Sequence, residues 1–551
     1  MLRKFLALAI SAGIAVASSA TNAATIADSD KAARIRPQDY PALDDKELGH
    51  VRRFIKLSRQ LPGDWSGMGD DLWPIAERTQ QFQLAYMAAA LGLVQHQYTP
   101  AYRETYRQAM DALIQKMTSP DIWESWLNSS RAGTSASDPD SSDLDAGWID
   151  PVRKYNIMLK GYLLQAGAMY SMLYRDGKYD RADAFTFHYV PMTWGNGAVV
   201  FRYSLPDVAR IVHQEHVDNN YEGVLCEPNR IFPACNQPPI LGLINFDQVY
   251  GSQYATDVMP KFKAAWLRKN YTIPETKQFV AMAFVKQGAN TGPGGPGLDG
   301  WAGAWMNAWN PEYMKSIYEA QKKIYVPMML SGAYAQNVPP YAKASLSLGF
   351  GQIAFMAAEL GDRDTRAKML DYADRNFGPV WEDGAYYYPR SDDFKTDANG
   401  NSRGVASWTG NVLIALARLD KGDGFLKLYR NPWGKAELDA PHITDVDHMS
   451  TNVSQAYYDA SKDALIVTIK PGPLKVAKTS FVVTNLDQGK SYILVKDGAT
   501  LGTITRGLGA KAIAGVTMRS DGKVQIESDF DRAHSFVLVG SRRDTVASAQ
   551  R

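Results

Sequence analysis

From about residue 77 to residue 420, apolar residues recur three and four positions apart, the spacing that lines one face of an α-helix. Phe82, Tyr86, Ala89 and Leu93 set this pattern in a helix predicted over 80–94. Further helices are predicted over 101–117, 156–173, 206–219, 236–250, 257–270, 301–308, 311–323, 341–360, 365–376 and 405–419. With short ones allowed for, that makes about a dozen. Turn-rich loops separate them; residues 290–299 alone hold four glycines and two prolines. After Trp433 the period changes. Segments 464–470, 480–485, 491–496, 516–519, 523–527 and 535–539 alternate apolar and polar positions between Gly and Asp turns. That is the pattern of an antiparallel sandwich.

The fold class expected is therefore mainly α. An (α/α)6 barrel, or toroid, occupies residues 50–435, and a small antiparallel β-sandwich follows over 436–541. A polar tail over 542–551 is expected to stay disordered. An irregular α-solenoid is the competing architecture, although no strict repeat runs through the sequence. At 551 residues the chain exceeds what one core usually serves, which agrees with one large and one small domain.

The N-terminus adds a location. Arg3 and Lys4 precede an apolar stretch over 5–16, and Asn22-Ala23-Ala24 then offers small residues for cleavage. This order predicts a signal peptide over 1–24, an N-terminal extension over 25–49, and a periplasmic or secreted protein. A retained anchor or an ordinary buried helix is the alternative. No later apolar run is long enough to span a bilayer, so no stable membrane insertion is expected. Charge contributes an exclusion: 60 basic residues nearly balance 58 acidic ones, and no basic stripe is present to draw nucleic acid. The 13 Trp and 29 Tyr suit a deep pocket and equally suit packing between helices.

The densest run of chemistry-bearing residues is 210–236, RIVHQEHVDNNYEGVLCEPNRIFPACN. A helix with His213, Glu215 and His216 leads into a loop framed by Cys226 and Cys235, the only cysteines. In an exported protein, two nearby cysteines read first as a disulfide closing a short loop. Two free thiols remain open as well. A second run, 147–162, GWIDPVRKYNIMLKGY, leads into a helix.

These residues resemble the bacterial linalool dehydratase-isomerase family. That family carries a Cys-Glu-Pro segment followed by Phe and a second Cys, at the spacing of Cys226, Glu227, Pro228, Phe232 and Cys235. Its Asn-Ile-Met-x-Lys-Gly helix is matched by Asn156 to Gly161, and its Arg-Ile-x-His-x-Glu run by Arg210, Ile211, His213 and Glu215. The resemblance covers the helical region and not the sandwich. It implies an (α/α)6 barrel with an apolar tunnel, no metal and no organic cofactor. The implied substrate is a small apolar, terpenoid-like allylic alcohol that is dehydrated or isomerised. Carried over position by position, Cys235 and Cys226 are the tunnel thiols. Tyr86 and Tyr162 join them as catalytic positions, and Met158, Phe232, Trp301 and Glu227 contact the substrate. A ring-shaped homo-oligomer is also implied, an assembly that an added sandwich could block.

The chemistry explains these residue types. An allylic hydroxyl leaves poorly unless an acid protonates it, and a base must then remove a proton from a neighbouring carbon. A thiol can serve as acid, base or transient nucleophile. Aromatic faces can stabilise positive charge while burying hydrocarbon. Two positions depart from the family. Its catalytic aspartate falls at Lys56, with Asp64, Asp70 and Asp71 the nearest acids, and its pocket histidine falls at Tyr162. Tyrosine donates a hydrogen bond but is a poor base at neutral pH.

Other readings stay open. A helical toroid with a sandwich also suits a glycan-active hydrolase or lyase, for which Glu382-Asp383 or Asp70-Asp71 would be the carboxylates. Their plainer reading is turn chemistry. A non-catalytic apolar-ligand-binding homologue is the third reading. His213 and His216 could begin a metal site but lack further ligands. Trp301, Trp305 and Trp309 form a stripe that fits a buried helix face. The glycine-rich stretch 290–300 lacks a phosphate-loop ending and reads as a mobile flap.

Overall fold

The computed structural model describes residues 32, 34–69, 79–131, 147–191, 197–331, 340–393, 397–399, 401, 403–488, 490–505 and 513–541. The signal peptide read over 1–24, the tail over 542–551, and Asp70 and Asp71 lie outside them. The chain divides into two units. One comprises Asp45–Val94 and Tyr106–Gly434; the other runs through Asp44, takes in Gln95–Thr105 and resumes at Lys435.

The first unit is mainly helical. Its longer helices include α1 (Asp45–Ser58), α2 (Gln80–Gln97), α3 (Glu104–Lys116), α4 (Ile157–Tyr174), α5 (Leu205–Asp218), α6 (Gln237–Tyr250) and α7 (Tyr254–Arg268). They continue with α8 (Gly295–Asn307), α9 (Pro311–Ser331), α10 (Pro340–Glu359), α11 (Arg363–Asn376), α12 (Ile414–Leu419) and α13 (Gly424–Arg430). Two kinds alternate. Helix α4 is buried on nearly all sides, whereas α5 buries one stripe through Leu205, Val208, Ala209, Val212 and His216. Local chemistry sets the starts: Ser204 and Asp207 form a capping box on α5, and the Asp362 carboxylate accepts the Thr365 N–H at 3.0 Å on α11.

Of residues 290–300, read as a mobile flap, only the part before Gly295 lies outside a helix. Gly295 to Gly300 begin α8. A Cβ at Gly300 would lie 2.6 Å from the Gln352 backbone carbonyl carbon, so glycine there lets α8 and α10 approach closely. The helical region also contains antiparallel pieces that its periodicity did not reveal. They are the hairpin β1 (Phe185–Tyr189) with β2 (Val199–Tyr203), the small sheet β3 (Arg230–Ile231), β4 (Ala283–Phe284), β5 (Ala289–Asn290), and the hairpin β6 (Val380–Glu382) with β7 (Ala385–Tyr387).

The second unit contains two antiparallel sheets. They are built from β8 (His442–Thr444), β9 (Thr451–Asp459), β10 (Ala464–Pro471), β11 (Lys478–Thr484), β12 (Ser491–Lys496), β13 (Ala499–Thr505), β14 (Val516–Met518), β15 (Val524–Asp529) and β16 (His534–Gly540). One sheet has the order β13-β12-β16-β10-β9, the other β14-β15-β11-β8. Phe481 of the smaller sheet meets Phe536 of the larger edge to face at 5.2 Å. The other face of the larger sheet is also covered. Ala32 and Ile35 pack on Ala464, Ile466, Ile493, Val495, Val537 and Val539. The Gln455 side chain donates to the carbonyls of Pro37 and Tyr40, both at 2.9 Å, and the Leu43 N–H donates to the Ser454 carbonyl at 2.9 Å. Burial on both faces is why β10 and β16 read as nearly continuous apolar runs. The residues read as an N-terminal extension thus complete a core. Ile35→Ala is expected to lower the stability of this unit by about 2 kcal/mol or more, measured by denaturant titration, because Ile35 is 8% exposed.

Candidate active site

Two of the sequence motifs meet through one buried ion pair. Tyr155 and Asn156 adopt left-handed backbone at φ 59° and 50° just before α4. One Glu215 carboxylate oxygen accepts the Tyr155 N–H at 2.7 Å, and the other accepts the Lys160 ammonium. Lys160 is fully buried. Burial depresses its pKa and raises that of Glu215, and each partner's charge opposes the shift of the other. The first backbone amides of the same turn reach the cysteine loop. Asn156 N–H donates to the Cys226 carbonyl at 2.9 Å, and Ile157 N–H to the Leu225 carbonyl at 3.4 Å.

The loop itself is pinned internally. Cys226 N–H donates to the Arg230 carbonyl at 2.9 Å, and Cys235 N–H to the Phe232 carbonyl at 3.1 Å. The buried Asn236 amide accepts from Val224 N–H at 2.7 Å and donates to the carbonyls of Val224 and Phe232 at 3.0 and 3.1 Å. Both cysteines are buried free thiols. Burial first, then the hydrogen-bonding contact with Cys235, push the Cys226 thiol well above its usual range. The Phe232 amide opposes that shift. Cys226 is therefore a protonated thiol at neutral pH. Beside it, Glu227 Oε2 is buried without a hydrogen-bond partner. Desolvation pushes the Glu227 carboxyl up to about 7, against the nearby charge of Arg230.

Next to the thiols stands a group of aromatic rings from four parts of the chain. Tyr86 and Phe82 come from α2, Tyr162 from α4, Trp301 from α8 and Trp408 from the turn before α12. Phe82 stacks on Trp408 at 4.7 Å, and Trp301 meets Phe82 and Trp408 edge to face at 5.2 and 5.4 Å. Tyr162 lies 6.0 Å from Tyr86 and stacks on Trp301 at 6.3 Å. The Tyr162 hydroxyl and Trp301 Nε1 are buried without hydrogen-bond partners. Burial raises the pKa of both tyrosines, and a negative charge on Cys235 would raise them further. A π-helical turn, Thr409–Leu413, follows Trp408 and helps set its ring into this group. Behind it, Asn411 bonds Gln83 at 2.8 Å and Arg53 at 3.1 Å.

Of the residues singled out from the sequence, Cys226, Cys235, Tyr86, Tyr162 and Trp301 come together, with Glu227 beside Cys226. Met158 is half-buried on α4, one turn before Tyr162 and on the same face. Phe232 is half-buried and supplies backbone groups to both cysteines. Lys56 lies elsewhere. Its ammonium bridges Glu382 and Asp383, both at 3.1 Å, with all three side chains more than two-fifths exposed. That ion pairing occupies the carboxylates considered for glycan chemistry. His213 pairs with Asp257 at 2.9 Å and stacks on Tyr254. His216 is buried against Phe262, and desolvation holds its pKa near 3. Among the described residues, no group of three or more His, Cys, Asp and Glu is placed to hold a metal ion.

Three neighbours of Tyr86 escaped sequence reading as site residues. Phe82 and Trp305 were visible only as apolar positions on helices, and Gln352 sits in a mostly apolar helix without a motif. Trp408 lacked a motif as well; its Ser-Trp-Thr-Gly context resembles any helix entry. Comparison with known protein families matches residues 81–394, more than half of the chain, to the family described as linalool dehydratase/isomerase. The match spans α2, the cysteine loop, α4 and α8 together, so the chain belongs to the linalool dehydratase/isomerase family.

Proposed function

We propose that this protein is a cofactor-independent dehydratase/isomerase of a small apolar allylic alcohol, and that its alternating helices are those of an (α/α)6 barrel. We place it in the periplasm or outside the cell, on the strength of the residue order in the first 24 positions. The observation that carries the chemical reading is the juxtaposition of two buried thiols, a carboxyl poised near 7 and an aromatic group with unpartnered polar atoms.

In this reading Glu227, protonated up to about pH 7, gives its proton to the leaving hydroxyl directly or through the Cys226 thiol. The C–O bond breaks and water departs. The faces of Phe82, Trp301 and Trp408 stabilise the allylic cation. The Glu227 carboxylate left behind takes the Cys235 thiol proton, and the Cys235 sulfur in turn removes a proton from the carbon next to the cation, so that the double bond forms. Glu227 and Cys235 both end protonated as they began, and the net change is loss of one water. Isomerisation follows if water instead adds to the other end of the allylic cation. Met158 and Phe232 border the hydrocarbon.

The test is incubation with a panel of tertiary and primary allylic alcohols under reducing, anaerobic conditions, with products read by gas chromatography. Diene formation or hydroxyl migration supports the reading; an unchanged panel defeats it. A pH profile adds a check. The acid must be protonated, so dehydration should hold up to about pH 7 and fall about tenfold per unit above it. Stability should follow the same group. A raised carboxyl pKa costs the folded state nothing below its unfolded value and an increasing amount as pH climbs to about 7. Glu227→Gln should therefore raise the melting temperature at pH 8 and leave it unchanged near pH 4.

A further inference from the structure

The Tyr86 hydroxyl is completely buried and receives two hydrogen bonds. Trp305 Nε1 donates to it at 2.9 Å, and Gln352 Nε2 donates at 3.3 Å. A phenol oxygen has two lone pairs and one proton, and an indole N–H can only donate. With both lone pairs taken, Tyr86 has only its proton left to offer. Nearby, two further donors lie buried and unused, as does one acceptor, Gln352 Oε1. The Tyr162 hydroxyl is perturbed by Tyr86 and Trp301 without a hydrogen bond of ordinary geometry to either, and Trp301 Nε1 has no partner. Tyr162 is 1% exposed and Trp301 6%. Buried groups of this kind cost free energy unless something accepts from them.

We infer that Trp305 and Gln352 are positioning residues that fix Tyr86 as a hydrogen-bond donor, so that Tyr86, Tyr162 and Trp301 together form a donor set for the oxygen of an alcohol ligand. This rests on the proposed reading for the identity of the ligand, an alcohol within an apolar site. It adds a polarity to that reading: the site donates to the oxygen from several sides, which stabilises it as the C–O bond lengthens. Glycine at 300 belongs to the same arrangement, since it admits the Gln352 backbone against α8. The rings of Trp305, Phe355 and Tyr86 meet edge to face at 5.1 to 6.2 Å, which fixes the indole N–H toward the phenol.

The experiment uses the full chain and a saturated tertiary alcohol with its hydrocarbon isostere, neither of which can be dehydrated to an allylic cation. Binding of each is followed by tryptophan fluorescence. Wild type should bind the alcohol about tenfold or more tightly than the hydrocarbon, the worth of one or two net hydrogen bonds. Gln352→Met should reduce that preference several-fold. Gln352→Glu puts an acceptor where a donor stood, takes the Tyr86 proton, and should lower the preference to that of Tyr86→Phe. Trp305→Phe should act like Gln352→Met. In a Tyr86→Phe background, all three substitutions should have no further effect on the preference, which a purely structural role would not produce. Hydrocarbon binding reports on folding and on the apolar walls, and should stay unchanged throughout. Alcohol preference undiminished by Gln352→Glu, or equal losses in the two backgrounds, would overturn the inference, as would a wild type without preference. If the preference behaves as stated but allylic alcohols are not converted, the dehydratase reading fails and the oxygen site stands.

Discussion

Cys235→Ala is expected to cut turnover of an allylic alcohol roughly 10²–10⁴-fold, the range removed with a positioned proton-transfer group. The fold should survive, because a buried Cys-to-Ala change removes a single sulfur and costs about 1 kcal/mol. Cys235→Ser should stay badly impaired, since a hydroxyl is a far weaker acid and nucleophile than a thiol. Cys226→Ala should also lose activity. Its thiol stays protonated, so it acts as donor or relay to Cys235 and its loss leaves Cys235 without that contact. Thiol titration of the unreduced, denatured protein should count two thiols, in keeping with two free cysteines. A count of zero, with equal stability losses of roughly 2–4 kcal/mol for both alanine variants, would make the pair a structural disulfide and remove it from catalysis.

The largest stability effect is expected at Glu215. Glu215→Leu leaves the Lys160 ammonium fully buried without its counter-charge and frees the Tyr155 N–H. Breaking one partner of such a pair typically costs about 3–5 kcal/mol. The double variant Lys160→Met with Glu215→Leu should recover much of that, because two apolar groups of similar volume need no charge compensation. Both are read by denaturant titration. The distinctive outcome is the recovery: if the double variant is as unstable as Glu215→Leu, the cost lies in the Tyr155 turn and not in the buried charge. Loss of this pair should also loosen the cysteine loop, since Asn156 and Ile157 donate to the Cys226 and Leu225 carbonyls. A faster reaction of Cys226 with a thiol reagent in Glu215→Leu would report that directly.

The local patterns were legible in the chain itself. Helical spacing of apolar residues marked the large region, and the change of period after Trp433 marked the sheets, because periodicity records which face of an element meets a core. The cysteine loop and the Asn156–Gly161 run stood out by composition and spacing. Family resemblance put Cys226, Cys235, Tyr86, Tyr162 and Trp301 in one group, which the structure brings together. Lys56 shows the limit of that reading: its alignment with an acid position says nothing of direction, and its side chain turns outward to Glu382 and Asp383.

Periodicity says that a face is buried and not what it is buried against. Residues 290–300 look like a flexible loop by composition, yet α8 needs Gly300 because Gln352 approaches within the space of a side chain. β10 and β16 carry apolar residues on both faces because Ala32 and Ile35 return to cover one of them, across more than four hundred residues of chain. Helix periodicity showed that Glu215 and Lys160 lie on helices; only folding brought them together, 55 positions apart. The same holds for the site. Sequence supplied the thiols and the tyrosines as residue types. Tertiary structure alone decided that Trp408 would complete the aromatic group, that Trp305 and Gln352 would both donate to Tyr86, and that the Tyr162 hydroxyl and the Trp301 N–H would be left with nothing to accept from them. Those outcomes depend on distances between helices that are far apart in the chain, and hydrogen bonding falls away within a fraction of an ångström.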